Sequence, residues 1–123
     1  MILNIVDRSG ITHHLLTAAG KDSNLYLLDR GNLGKFHSSN QIYQELDGVF
    51  PSGIWSSVAY FNGSIYQGGG PLGGAGPLLQ LQFDFTNPNK PLLKSTPASS
   101  TKTQFGYPND LVQWNHQRDR LGL

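Results

Sequence analysis

The sequence predicts an all-β chain built from two successive units of four short antiparallel strands, and three observations carry this reading. No window places apolar residues at i, i+3, i+4 and i+7 without a Gly or Pro breaking it, so amphipathic helices are not expected. Turn formers are abundant, with 15 Gly and 7 Pro, while charged residues make up only 14%. That balance suits short strands joined by tight turns. Short apolar runs also recur between Asx- and Gly-rich clusters, and the pattern restarts near residue 55.

Taken in order, "ILNIV" (2–6) is an apolar run closed by "DRSG". "HLLTAA" (14–19), the turn "GKDS" and "NLYLLD" (24–29) form a hairpin, Gly20, Asp22 and Ser23 being turn residues. After "RGNLGK", the alternation of "QIYQEL" (41–46) reads as an edge strand with one wet face. "DGVFPSG" (47–53) is punctuation. "SVAYF" (57–61) and "SIYQ" (64–67) flank Asn62-Gly63, the strongest short hairpin signal. "GGGPLGGAGP" (68–77) reads as a loop, "LLQLQFDF" (78–85) as an alternating strand and "LLKS" (92–95) as its partner. The polar stretch 96–104 reads as a connector.

Two related turns, "DSNLY" (22–26) and "NGSIY" (62–66), lie about one unit apart, and "LLTAA" has a counterpart in "SIYQG". Four strands repeating every 40–50 residues are the pattern of β-propeller blades. A plain eight-stranded sandwich or barrel is the alternative reading. At 123 residues the chain forms one domain. Within it the first blade covers about 2–47, the second about 55–96, a connector 97–108 and a tail 109–123.

Nine basic against eight acidic residues, with no basic run, exclude an electrostatic nucleic-acid surface. The absence of Cys excludes disulfides, thiolate metal sites and thiol nucleophiles. No signal peptide or membrane span is expected, since the apolar N-terminal run is broken by Asn4 and Asp7.

The segments "HLLTAAGKDSNLYLLDRGNLGKF" (14–36), "WSSVAYFNGSIYQGG" (55–69), "LLQLQFDF" (78–85) and "TPASSTKTQFGYP" (96–108), in this order, resemble the repeats of pyrroloquinoline-quinone-type (PQQ-like) β-propeller proteins. The resemblance covers about 2–108 and implies a piece of a longer propeller, in a family that is typically periplasmic or secreted. It stops after Pro108, and "NDLVQWNHQRDRLGL" (109–123) reads as an out-of-frame tail whose shifted codons permit a further blade start. Within that tail, Leu111–Trp114 is expected to pair with an open sheet edge, Trp114 covering apolar surface.

None of the carboxylates, amides and aromatics that hold Ca²⁺ and the quinone in PQQ enzymes can be matched, so no PQQ and no dehydrogenase activity are expected. The candidate catalytic residues are His13, His14, His37 and Asp29. Adjacent His13 and His14 point to opposite faces of a strand, so they cannot grip one ion together. A general base or a divalent metal site would need one of them to meet His37 or an Asp across a symmetric interface. Asp22, Asp29, Asp47 and Asp84 suit turns and strand ends. Trp55 and Tyr66 are candidates for a binding pocket, the other aromatics for packing between blades.

Two blades cannot close a ring, so apolar faces stay open. The expected partner is the chain itself, as a trimer or tetramer, with a strand-swapped dimer as the alternative. The function expected is a non-catalytic repeat module that self-assembles. The alternative is a hydrolase of esters or phosphoesters with its site at a channel or subunit seam.

Overall fold

The computed structural model describes residues 1–50, 53–54, 56–68 and 75–106. The expectations for Trp55, for most of the glycine-rich loop and for the tail, including Leu111–Trp114, lie outside these residues. The described residues form nine strands and no helix, arranged as two antiparallel sheets.

The first sheet is a meander of β1 (Ile2–Val6), β2 (Thr12–Ala19), β3 (Leu25–Asp29) and β4 (Gln44–Leu46). Period-two alternation sends Leu3, Ile5, Leu15, Leu25, Leu27 and Leu46 into the interior and leaves Ile2, Asn4 and Val6 outside. Asp7 closes the β1–β2 turn. Its Oδ1 accepts from the backbone N–H of Ser9 (2.8 Å) and of Ile11 (2.9 Å), while Gly10 supplies φ +82°. The fourth strand is shorter than its alternation suggests, because Asn40 Oδ1 takes the Ile42 N–H at 2.9 Å and turns the chain off the ladder.

In the second sheet β5 (Ala59–Phe61) and β6 (Ser64–Gly68) flank Asn62 (φ 46°) and Gly63 (φ 73°). Two positive φ values make this the turn whose twist suits a two-residue hairpin. β6 pairs with β7 (Ala75–Asp84), whose other edge is shared. β8 (Leu92–Leu93) pairs with its C-terminal end and β9 (Ser99–Gly106) with its N-terminal end. β8 and β9 therefore act as one interrupted fourth strand.

This corrects the expectation of a connector over 97–108. The segment is polar, but an edge strand needs only backbone partners, and Ala75–Leu79 offered an open ladder. The strand also corrects the loop reading of 75–77. Ala75, Gly76 and Pro77 pair with β9 alone, since β6 reaches β7 only from Leu78 onward. Pro77 is tolerated there because the register shifts between Pro77 and Leu79, and Leu78 N–H bonds instead to Thr101 Oγ1 at 3.0 Å. The two turns that look alike in sequence sit at different corners: 22–26 joins β2 to β3, whereas 62–66 joins β5 to β6.

The sheets share one apolar core, to which Ile65, Leu79, Leu81, Phe83 and Leu93 contribute from the second. Phe50 and Ile54, on the segment between the sheets, are buried in it as well. That segment is stitched to the β2–β3 turn, with Ile54 N–H on Gly20 O at 2.9 Å.

The faces in contact are not equivalent. On β2 the inward residues bond toward the first strand of their sheet, as Thr17 N–H does to Met1 O. On β6 the inward residues Ile65 and Gln67 lie in step with Gly63, whose carbonyl accepts from Phe83 on the third strand. For L-residues the direction of the backbone groups fixes the side-chain face, so opposite faces of the two meanders meet. The sheets are stacked in the same sense, not mirrored across a two-fold axis.

Candidate functional site

A group of ionisable side chains gathers where the β1–β2 turn meets the second sheet. His13 Nε2–H donates to Asp7 Oδ2 at 2.9 Å. The Asp7 side chain has no exposed surface and that of His13 keeps 18%. Both Asp7 oxygens are thus committed, one to the imidazole and one to the turn. The bond from His13 holds the Asp7 carboxyl below its ordinary value against the opposing effect of desolvation, and the N–H groups of Ile11 and Ser9 assist.

The His13 ring meets the Tyr43 ring edge-on, with centroids 6.2 Å apart. Lys90 Nζ stands 5.0 Å above the centre of Tyr43, and the phenol donates to Pro91 O at 3.0 Å. Burial pushes the Tyr43 phenol up to about 12, and the charges of Asp29 and Asp7 add to the shift. Ser9 Oγ reaches Asn89 Oδ1 at 3.2 Å, a further link between the sheets. With Nε2 held by Asp7, the partly exposed His13 keeps Nδ1 as the ring atom able to accept a proton.

The remaining sequence candidates lie elsewhere. His14 is on the opposite, exposed face of β2, where Nδ1 is 2.9 Å from Asn4 Oδ1 and 3.1 Å from Arg30 Nη2. Arg30 also donates to Asn4 Oδ1 at 2.6 Å. Asp29 caps the turn that follows it, accepting from Gly31 N–H at 2.7 Å, and reaches the cluster only through its field on Tyr43. His37 is exposed in the segment between β3 and β4, apart from the other histidines along the chain. Tyr66 faces away from the first sheet, and its hydroxyl accepts from Gln80 Nε2 at 3.2 Å. Gln80 also donates to Ser64 Oγ and accepts from Ser99 Oγ, so Tyr66 belongs to a satisfied network. Among the described residues no three His, Asp or Glu side chains converge in a way that could hold a metal ion.

Asp7, Tyr43 and Lys90 are the members of the cluster that sequence reasoning missed. "DRSG" announces an Asx turn, but a turn does not say which neighbour takes the carboxylate's second oxygen. His13 follows six residues later, across the hairpin. In comparisons with known proteins, no family model, curated protein or solved structure matches the chain.

Proposed function

We propose that the chain is a two-blade piece of a PQQ-like β-propeller that acts as a non-catalytic, self-assembling repeat module. The observation that carries this reading is the same-sense stacking of two four-ply meanders. Successive propeller blades stack in that way, whereas a symmetric sandwich does not. The outward face of the first sheet supports it. Ile2 is 64% and Val6 56% exposed, and Ile2 is in register with half-buried Leu16, itself opposite Leu28. A row of this kind is what a preceding blade would cover.

The occupant proposed is a second copy of the chain, closing a ring as a trimer or tetramer, with a strand-swapped dimer as the runner-up. Sedimentation velocity at micromolar concentration tests it, with a stable oligomer as the expected result. Val6→Lys places a charge on the outward face and should yield monomers with unchanged β-sheet circular dichroism. A folded monomer in the unaltered protein overturns the reading.

One observation favours hydrolysis as a second reading. The Asp7–His13 pair orients an imidazole so that it can take a proton from water, whose oxygen then attacks an ester carbonyl while the alkoxide leaves and is protonated. Turnover of a chromogenic ester that is lost in His13→Gln and kept in His14→Gln would establish this reading.

A further inference from the structure

Phe36 is 101% exposed, its whole side chain standing in solvent, and Leu33 and Ile11 are 59% and 58% exposed. All three lie at one end of the first sheet. Ile11 is on the β1–β2 turn, and Leu33 and Phe36 are on the segment joining β3 to β4; in an antiparallel meander these two connections leave the same end. Both stems of the longer one flank the start of β2. Arg30 N–H donates to His14 O at 2.8 Å, and the Tyr43 ring meets that of His13.

The β3–β4 segment is held in a shape that presents Phe36. Asn32 Oδ1 accepts from Gly34 N–H at 3.2 Å, and Asn40 Oδ1 from Ile42 N–H at 2.9 Å. The two limbs touch at Gly34, where a Cβ would come 2.6 Å from Gln41 Cβ. Gly34 (φ 80°) and Lys35 (φ 51°) are both left-handed, a conformation that a lysine adopts only where its surroundings impose it. Single exposed apolar side chains are ordinary, but three large ones on neighbouring connections of one end are not.

The charges at this end have one sign. Arg8, Arg30, Lys35 and Lys90 are exposed there, Lys90 on the β7–β8 connection that Asn89 links to Ser9 of the β1–β2 turn. The neighbouring carboxylates are withdrawn. Asp7 is enclosed against His13, while Asp29 and Asp84 are half-buried and accept from the N–H groups of Gly31 and Thr86. The opposite end of the first sheet exposes Asp22, Glu45 and Asp47 against Lys21.

We infer that the end carrying Ile11, Leu33 and Phe36 is a docking surface for an anionic lipid bilayer. The three apolar side chains enter the headgroup region, and Arg8, Arg30, Lys35 and Lys90 meet the lipid phosphates. A protein partner calls for a close-fitting face, whereas these apolar groups project from separate turns, which a fluid interface accepts without matching their shape. The surface lies within one chain, so it stands whether or not copies of the chain associate.

Flotation of the full-length protein with vesicles tests the surface, since floating separates bound protein from any that self-associates. The vesicles are phosphatidylcholine mixed with phosphatidylglycerol, and phosphatidylcholine alone. The expected result is flotation with the mixed vesicles, little with the neutral ones, and release in high salt. Phe36→Ser and Lys35→Glu should each lower the partition coefficient about fivefold or more, with an unchanged urea midpoint because both side chains are exposed. Lys21→Glu makes the same charge change at the opposite end and should leave partition as it was. Absence of flotation with the anionic vesicles, equal flotation with the neutral ones, partition unaffected by Phe36→Ser, or an equal loss in Lys21→Glu and Lys35→Glu overturns the inference.

Discussion

The side-chain amide of Gln44 pairs with the backbone of Leu93 as a neighbouring strand would. Gln44 Nε2 donates to Leu93 O at 2.8 Å and Gln44 Oε1 accepts from Leu93 N–H at 2.8 Å. Gln44 opens the short β4 of the first sheet and Leu93 ends the two-residue β8 of the second. One side chain thus satisfies both polar groups of a residue that is 3% exposed and ties the sheets at their outer strands. Gln44→Ala should destabilise the protein by about 2–3 kcal/mol, since it leaves a buried donor and a buried acceptor unpaired. Gln44→Glu should also destabilise at neutral pH, its carboxylate facing the Leu93 carbonyl, and should recover partly in acid. Urea midpoints of the three proteins at two pH values check both statements.

Asp7 makes stability depend on pH in the acid range. Its folded carboxyl is held below the ordinary value, first by His13, so the folded chain binds fewer protons there than the unfolded chain. The contribution is fully present above the unfolded value of about 4 and is lost as pH falls through the depressed folded one. Asp7→Asn should flatten the acid limb of the urea midpoint against pH. Asp22 and Asp84, lowered by Tyr26 and Thr86 respectively, should keep part of the slope.

Tyr43 acts at the opposite end of the scale. Its phenol is raised to about 12, which favours the neutral form in the folded state. That contribution is complete below the unfolded value of about 10 and is lost as pH rises toward the folded one. Tyr43→Phe should flatten the alkaline limb while lowering stability at neutral pH, because Pro91 O then lacks its donor at 3.0 Å. Alkaline titration by absorbance should show one tyrosinate fewer appearing late.

Gly53 and Gly10 both have positive φ, at 96° and 82°, but differ in their surroundings. A Cβ at Gly53 would stand 3.0 Å from Lys21 Cα and Lys21 O, both backbone atoms, while one at Gly10 would meet nothing within 4 Å. Gly10→Ala should cost about 1 kcal/mol from its backbone conformation alone. Gly53→Ala should cost more, about 2–4 kcal/mol, because the segment carrying Ile54 must also pull away from the β2–β3 turn. Thermal unfolding of the two variants side by side checks the order.

Local pattern made much of the architecture legible. Alternation in "ILNIV" and "LYLLD", and the Asn62-Gly63 pair, are signals contained within a few residues, and the strands formed where those signals lay. β9 was hidden because its sequence is polar. It is a strand by virtue of the edge that β7 offers, and that edge lies about twenty residues away along the chain. The cluster around His13 was half visible. The opposite faces of His13 and His14 follow from strand geometry, whereas the contacts with Asp7, Tyr43 and Lys90 require the hairpin to close and the second sheet to dock. Gln44 carries no sequence signal, because a polar residue in an alternating run looks the same whether it meets solvent or a backbone.

Stacking in the same sense gives the pair of sheets a front and a back that differ. A further copy adding by the same relation makes a head-to-tail contact and presents its own free face to the next. Growth of that kind ends only when the rotation per step divides a full turn; otherwise it runs on as a filament. A two-fold dimer would have to bring together identical faces, which the two sheets of the chain do not do. If copies of the chain associate by this relation, as proposed above, electron micrographs of concentrated protein should contain closed rings or extended fibres, and changes at the segment joining the sheets, around Phe50 and Gly53, should shift material from one to the other.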